Sequence, residues 1–141
     1  MTFFYVLDDE LKLLVADDDP IMREFASVHL STPSAEVAIA EDGAAAIRKL
    51  GEERFDILLL DLDMPVKSGF DVLEIIRADP ALAELPVIVI TGREDIASID
   101  RAYALGATSF VVKPVNWRLL AYQVKYVLRS AARGRACLDP A

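Results

Sequence analysis

The sequence predicts an α/β domain: a five-stranded, doubly wound parallel sheet covered by helices on both faces. Three observations predict it. Short apolar segments alternate with segments of helical period along the 141 residues, the pattern of repeated strand–helix–strand units. Three strand segments contain near-continuous apolar runs, Leu13–Ala16, Ile57–Leu60 and Val87–Ile90, as expected where neither face of a strand meets water. Hydrophobic residues make up 54% of the chain, ample for a core on each side of the sheet.

The predicted strands are Lys12–Ala16, Glu36–Ala40, Asp56–Leu60, Val87–Thr91 and Ser109–Val112. After the first strand, Asp19 suits an N-cap and Pro20 the first helical position. Ile21, Phe25 and Val28 then follow at i, i+4 and i+7, on one face. The second helix opens at Asp42 with Ile47 and Leu50 inward. The third runs from about Gly69 to Ala78 with Val72, Leu73, Ile75 and Ile76, and ends before Pro80. The fourth carries Ile96, Ile99 and Tyr103 and stops at Gly106, a natural C′ residue. The fifth runs from Asn116 to about Arg133 with Leu120, Val124, Val127 and Leu128. Right-handed crossovers with one reversal of direction make such a sheet doubly wound. Residues 1–10 read as an N-terminal arm, 11–133 as the domain and 134–141 as a C-terminal tail. The cluster Asp8-Asp9-Glu10 after Phe4–Leu7 competes for the first strand end. No N-cap and Pro follow it, so it reads as a solvated turn.

Composition removes several classes of function. Lys plus Arg total 15 and Asp plus Glu 23, a net charge of −8, which argues against a direct nucleic-acid binder. The basic residues Arg129, Arg133 and Arg135 read as complements to a helix C-terminus. Cys137 is the lone cysteine and His29 the lone histidine, so an internal disulfide, multi-Cys zinc sites and His clusters are excluded. Cys137 reads as an inert tail thiol and His29 as a partly solvated helix residue. No apolar run approaches the ~20 residues of a membrane helix. Met1–Leu7 contain no Lys or Arg, unlike a signal peptide. A cytoplasmic setting without membrane contact is expected.

In a doubly wound sheet, ligands bind at the carboxyl ends of the strands. The first strand here ends in Asp17-Asp18-Asp19, the third in Asp61-Leu62-Asp63-Met64-Pro65, the fourth in Thr91-Gly92 and the fifth in Lys113-Pro114. Asp17, Asp18 and Asp61 cannot all stay ionised in a partly buried pocket without compensation. Oxygen ligands without His or Cys favour Mg²⁺, which keeps open positions for water or phosphate oxygens. Lys113 adds a compact positive charge and Thr91 a hydroxyl donor. Together they suit phosphoryl transfer, in which one carboxylate serves as nucleophile.

These segments resemble the receiver domain of bacterial two-component response regulators. The resemblance rests on Leu13–Pro20, Leu58–Pro65 with Gly69, Val89–Gly92 and Phe110–Pro114, and covers roughly Leu11 to Arg129. It implies a flavodoxin-like fold, strand order 2-1-3-4-5 with five helices, and Asp61 as phosphoacceptor. Asp17, Asp18, Asp61 and the backbone carbonyl of Asp63 would hold Mg²⁺. Thr91 and Lys113 would each bind a phosphoryl oxygen, with Phe110 as the switch aromatic and a cis Lys113–Pro114 peptide. It also implies a histidine kinase or histidine phosphotransfer protein as donor. The output face would be the fourth helix, fifth strand and fifth helix, acting on a downstream protein. Asp63 and Arg93, each two places past a site residue, resemble the variable positions that tune self-dephosphorylation.

Two alternatives carry different consequences. Asp61 and Asp63 also resemble the DxD motif of haloacid dehalogenase-type phosphatases. That family needs an acidic pair beyond its lysine, whereas only Asp139 follows Lys113. Trp117–Leu120 and Tyr126–Arg129 resemble the last helix of receivers that precede cyclic-di-GMP signalling domains. Only eight residues follow Arg133, so no such output domain is expected within this chain; it reads as a stand-alone receiver or a piece of a larger regulator. The arm Phe3–Leu7 and Tyr103, Tyr122 and Tyr126 are candidates for partner docking or a homodimer.

Overall fold

The computed structural model describes residues 5–138, with side chains as far as Arg133. Five parallel strands, β1 (Leu11–Ala16), β2 (Ala35–Ala40), β3 (Ile57–Leu60), β4 (Val87–Thr91) and β5 (Ser109–Val112), alternate with five helices. The strand order is β2-β1-β3-β4-β5, as the resemblance implies. The register sets Ala16 beside Leu60 and Leu60 beside Val89. It also sets Thr91 beside Val112, so all the strands end along one edge.

Alternation within the strands splits the core in two. Leu14, Ala16, Leu58, Leu60, Val87 and Val89 face α2 (Gly43–Glu52), α3 (Gly69–Ala78) and α4 (Ile96–Ala104). Leu13, Val15, Ile57, Leu59, Ile88 and Ile90 face α1 (Pro20–Leu30) and α5 (Trp117–Leu138). The continuous runs in β3 and β4 are therefore buried on both sides, as their composition requires.

Helix starts follow their caps. Asp19, Asp42 and Asp95 each accept a hydrogen bond from a first-turn backbone N–H. Ser68 and Asp71 form a reciprocal capping box on α3. At the end of α4, Gly106 adopts φ +106°, the left-handed C′ conformation that suits glycine.

Three differences from the sequence reading stand out. Ile21, Phe25 and Val28 share a face of α1, but that face is exposed, and Ala26 and Leu30 are the buried residues. The helix carries two neighbouring apolar stripes, and spacing alone does not choose between them. On α4, Ile96 and Tyr103 likewise point outward while Ser98 and Ala102 are buried. Helix α5 continues to Leu138, five residues past the expected Arg133.

The N-terminal segment docks rather than dangling: Val6 and Leu7 are buried in the α1–α5 core. The Thr32 hydroxyl donates to the Leu7 carbonyl at 2.7 Å, and Lys125 donates to the Val6 carbonyl and the Asp8 carboxylate. Asp8, Asp9 and Glu10 are solvated, outside any strand. Phe3, Phe4, Asp139 and the side chains of Arg135 and Cys137 lie outside the described residues.

Candidate functional site

The ladder itself delivers the site residues. Just past β1, β3 and β5, the next residue donates its backbone N–H to the last carbonyl of a neighbour: Asp17 to Ala40 at 3.1 Å, Asp61 to Ala16 at 3.0 Å and Lys113 to Thr91 at 2.8 Å. Three residues far apart in sequence are thus held at one edge by main-chain bonds. The Lys113–Pro114 peptide is cis, as the resemblance implies.

At that edge Asp17 is 2% exposed, Asp61 5% and Thr91 0%. The Lys113 ammonium lies 2.8 Å from Asp17 Oδ2 and 3.5 Å from Asp61 Oδ2. Asp18 is exposed, and one carboxylate oxygen each from Asp17, Asp18 and Asp61 lies within 4.8 Å of the others. All three donors are hard oxygens with no His or Cys among them, which suits a small hard cation such as Mg²⁺ or Mn²⁺. The other Asp17 oxygen accepts from the Asp19 backbone at 2.9 Å, and Arg23 donates to the Asp17 carbonyl at 2.9 Å.

Electrostatics marks Asp61 as the unsettled member. Burial raises its pKa, and the Asp17 carboxylate raises it further, against the pull of Lys113. Burial opposes the charge on Lys113, but its hydrogen bond to Asp17 and the fields of Asp61 and Asp17 outweigh that and hold the ammonium above the usual lysine range. Two carboxylates sharing one ammonium are short of positive charge, and a cation or a proton relieves the deficit.

Packing fixes the loop behind Asp61. A Cβ on Gly69 would sit 2.3 Å from the Asp61 carbonyl oxygen, so only glycine lets α3 approach the end of β3 this closely. In the intervening loop Val66 takes φ +69° and is 77% exposed. A β-branched residue there is strained. Phe110 on β5 is half-buried against the α4 side of the core, its ring 6.4 Å from that of Tyr103.

One element of the site escapes sequence reading. Arg93 forks onto the Asp63 carboxylate with contacts of 2.5, 3.0 and 3.1 Å. It also donates to Ser98 Oγ at 3.3 Å, and its guanidinium carbon lies 5.6 Å from the Phe70 ring centre. The bridge spans the loops that follow β3 and β4. The available signal was opposite charge at equal offsets from Asp61 and Thr91, on strands that prove to be neighbours.

A five-stranded sheet in this order, with acids, a hydroxyl and a lysine gathered at its carboxyl edge, defines a phosphoacceptor class of signalling domain. Residues 13–125 match the family described as the response regulator receiver domain, and the chain belongs to it. It is 32% identical over 118 residues to the DNA-binding response regulator MtrA of Mycolicibacterium smegmatis, covering 84% of this chain and 50% of MtrA. It is 30% identical over 119 residues to the heme response regulator HssR of Staphylococcus aureus, covering 84% of this chain and 52% of HssR. The chain thus spans about half the length of these curated relatives. Among solved structures, the chemotaxis response regulator CheY4 of Vibrio cholerae superposes with a TM-score of 0.78 at 31% identity, over 83% of this chain and 98% of that one. The Mn²⁺-bound form of the response regulator Rcp1 gives 0.71 at 28% identity, over 83% and 91%. The protein is thus a receiver domain of two-component signalling. Among the described residues, no helix is long and apolar enough to cross a membrane.

Proposed function

We propose that Asp61 is the residue phosphorylated, and that Asp17, Asp18 and the backbone carbonyl of Asp63 complete a Mg²⁺ site beside it. The observation that carries this reading is the Lys113 ammonium set between Asp17 and Asp61, at 2.8 and 3.5 Å, with Thr91 buried alongside. An Asp61 carboxylate oxygen attacks phosphorus in a phosphohistidine of a histidine kinase or a histidine phosphotransfer protein. The P–N bond breaks, and its electron pair leaves with the imidazole, which takes up a proton. The product is an acyl phosphate on Asp61. Mg²⁺, when bound, supplies the positive charge that the phosphoryl oxygens require. Lys113 pairs with one phosphoryl oxygen and the Thr91 hydroxyl donates to another.

The new bonds draw Thr91 toward the phosphate, and Phe110 turns into the space behind it. The output surface is the outer face of α4, β5 and α5, where Ile96, Tyr103, Leu119, Tyr122 and Tyr126 are exposed. It is offered to a downstream protein or to a second copy of the chain. The domain spans 11–133, with slow self-dephosphorylation and no turnover of a separate substrate. Acetyl phosphate with Mg²⁺ should add one phosphoryl mass to the wild-type protein and none to Asp61→Asn. Equal labelling of the two would overturn the assignment.

A further inference from the structure

We propose that Arg23 is a positioning residue for the metal site: by holding the Asp17 carbonyl it fixes the Asp17–Asp18 peptide, and so sets the direction of the Asp18 carboxylate. The proposal rests on Asp17, Asp18 and Asp61 being metal ligands. Arg23 Nη1 donates to the Asp17 carbonyl at 2.9 Å. Every polar group of Asp17 then has a partner. Its backbone N–H donates to Ala40 at 3.1 Å, Oδ1 accepts from the Asp19 N–H at 2.9 Å, and Oδ2 accepts from Lys113 at 2.8 Å.

The fold explains why a side chain must supply this donor. The Asp17 N–H still belongs to the β1–β2 ladder. The strand donor that would answer its carbonyl lies beyond Ala40, where β2 has ended and Asp42 already caps α2. A carbonyl on a residue this deeply buried costs free energy if left unpaired. Arg23 is the fourth residue of α1, and its backbone N–H makes the first-turn bond to the Asp19 carbonyl at 3.1 Å. Helical side chains lean toward the helix N-terminus, so the guanidinium reaches back across that turn to the end of β1.

Asp18 depends most on the pin. It is the exposed member of the acidic triad, and among the described residues no hydrogen bond or ion pair holds its carboxylate. Its direction is therefore set by the backbone, and the peptide before it is the one whose carbonyl Arg23 holds. Seating the guanidinium on a carbonyl also keeps it off the acids, where its fork would compete with a metal ion for carboxylate oxygens. Outer partners that orient metal ligands carry a large share of metal affinity. Charge alone predicts the reverse, because removing a cation from beside three carboxylates strengthens their hold on Mg²⁺. The two accounts differ in sign.

The test is Mg²⁺ affinity, read from backbone ¹⁵N–¹H shifts as MgCl₂ is added to the full, unphosphorylated chain. Arg23→Met should weaken binding about tenfold. Arg23→Lys, which keeps a charged donor, should fall between Arg23→Met and wild type. Asp18→Ala should also weaken binding, and in that background Arg23→Met should add less than about twofold. With acetyl phosphate, Arg23→Met should need more Mg²⁺ for half-maximal labelling and reach the wild-type rate at saturation. A plateau well below wild type overturns the proposal, since a pin acting through the metal site is compensated by excess Mg²⁺. Tighter or unchanged Mg²⁺ binding in Arg23→Met, or a full-sized effect without Asp18, also overturns it. Mg²⁺ binding that ignores Asp18→Ala would instead overturn the metal site itself.

Discussion

The sheet holds a cation at each end, and the two are solvated in opposite ways. At the carboxyl edge, Lys113 is held by the carboxylates of Asp17 and Asp61. At the amino edge, Arg77 is held, among the described residues, by main-chain carbonyls. It donates to Gly106 at 2.8 and 3.0 Å, to Leu85 at 2.7 Å, to Ala83 at 3.1 Å and to Leu82 at 3.3 Å. Burial pulls the Arg77 pKa down, and Glu84 only partly offsets this. A Cβ on Gly106 would meet Arg77 Nε at 2.7 Å. Carbonyls neither titrate nor exchange, so Arg77 rivets the end of α3 to the loops before β4 and β5. Carboxylates do both, so the Lys113 end can trade partners. The difference separates a structural ion from a reactive one more clearly than burial does.

Breaking the amino-edge cation should have the largest effect on stability. Arg77→Met leaves several carbonyls without their donor and should cost about 2–4 kcal/mol in urea unfolding. Its labelling by acetyl phosphate, per folded molecule, should match wild type; loss of labelling in folded protein would erase the contrast. Breaking the carboxyl-edge cation should be milder for the fold and severe for function. Lys113→Ala leaves Asp17 and Asp61 facing each other and should cost about 1–3 kcal/mol. Added Mg²⁺ should return part of that loss, as it should not for Arg77→Met; a thermal melt with and without Mg²⁺ distinguishes them.

The smallest effect has the opposite sign. Asp61→Asn removes a crowded buried carboxylate and should stabilise the metal-free protein at neutral pH by about 1 kcal/mol. Asp61 titrates above its ordinary value of 3.8 in the folded state. The folded chain therefore binds its proton more tightly than the unfolded chain. Stability falls as pH rises through the interval above 3.8, and the deficit is constant beyond it. The advantage of Asn should accordingly shrink as pH drops toward 3.8. A gain that persists unchanged in acid would show that charge is not its origin.

The sheet and the site's side chains were legible because both follow from chain-local rules. Ile57–Leu60 can be fully buried only inside a covered sheet, and Asp17, Asp61, Thr91 and Lys113 stand where parallel strands end. What escaped depends on directions in space. Ile21, Phe25 and Val28 have core-like spacing, yet α1 turns its Ala26 and Leu30 to the sheet. Val66 in a left-handed conformation contradicts its own propensity and is imposed by the loop closing onto α3. The Arg77 rivet and the Arg93–Asp63 bridge join residues whose types are ordinary anywhere on a surface. Only the fold brings Arg77 to the Gly106 carbonyl, 29 positions along the chain.

The rungs that fasten residues 17, 61 and 113 to adjacent strands leave the cradle with a stiff chassis. Incoming charge cannot be accommodated by sliding one strand against the next without cutting those bonds. Adjustment is left to torsions about side-chain bonds and to the two spans beyond Asp61 and Thr91. The lysine and the threonine are tied by one main-chain hydrogen bond, Lys113 N–H to the Thr91 carbonyl, so a backbone shift at one strand end pulls on the other.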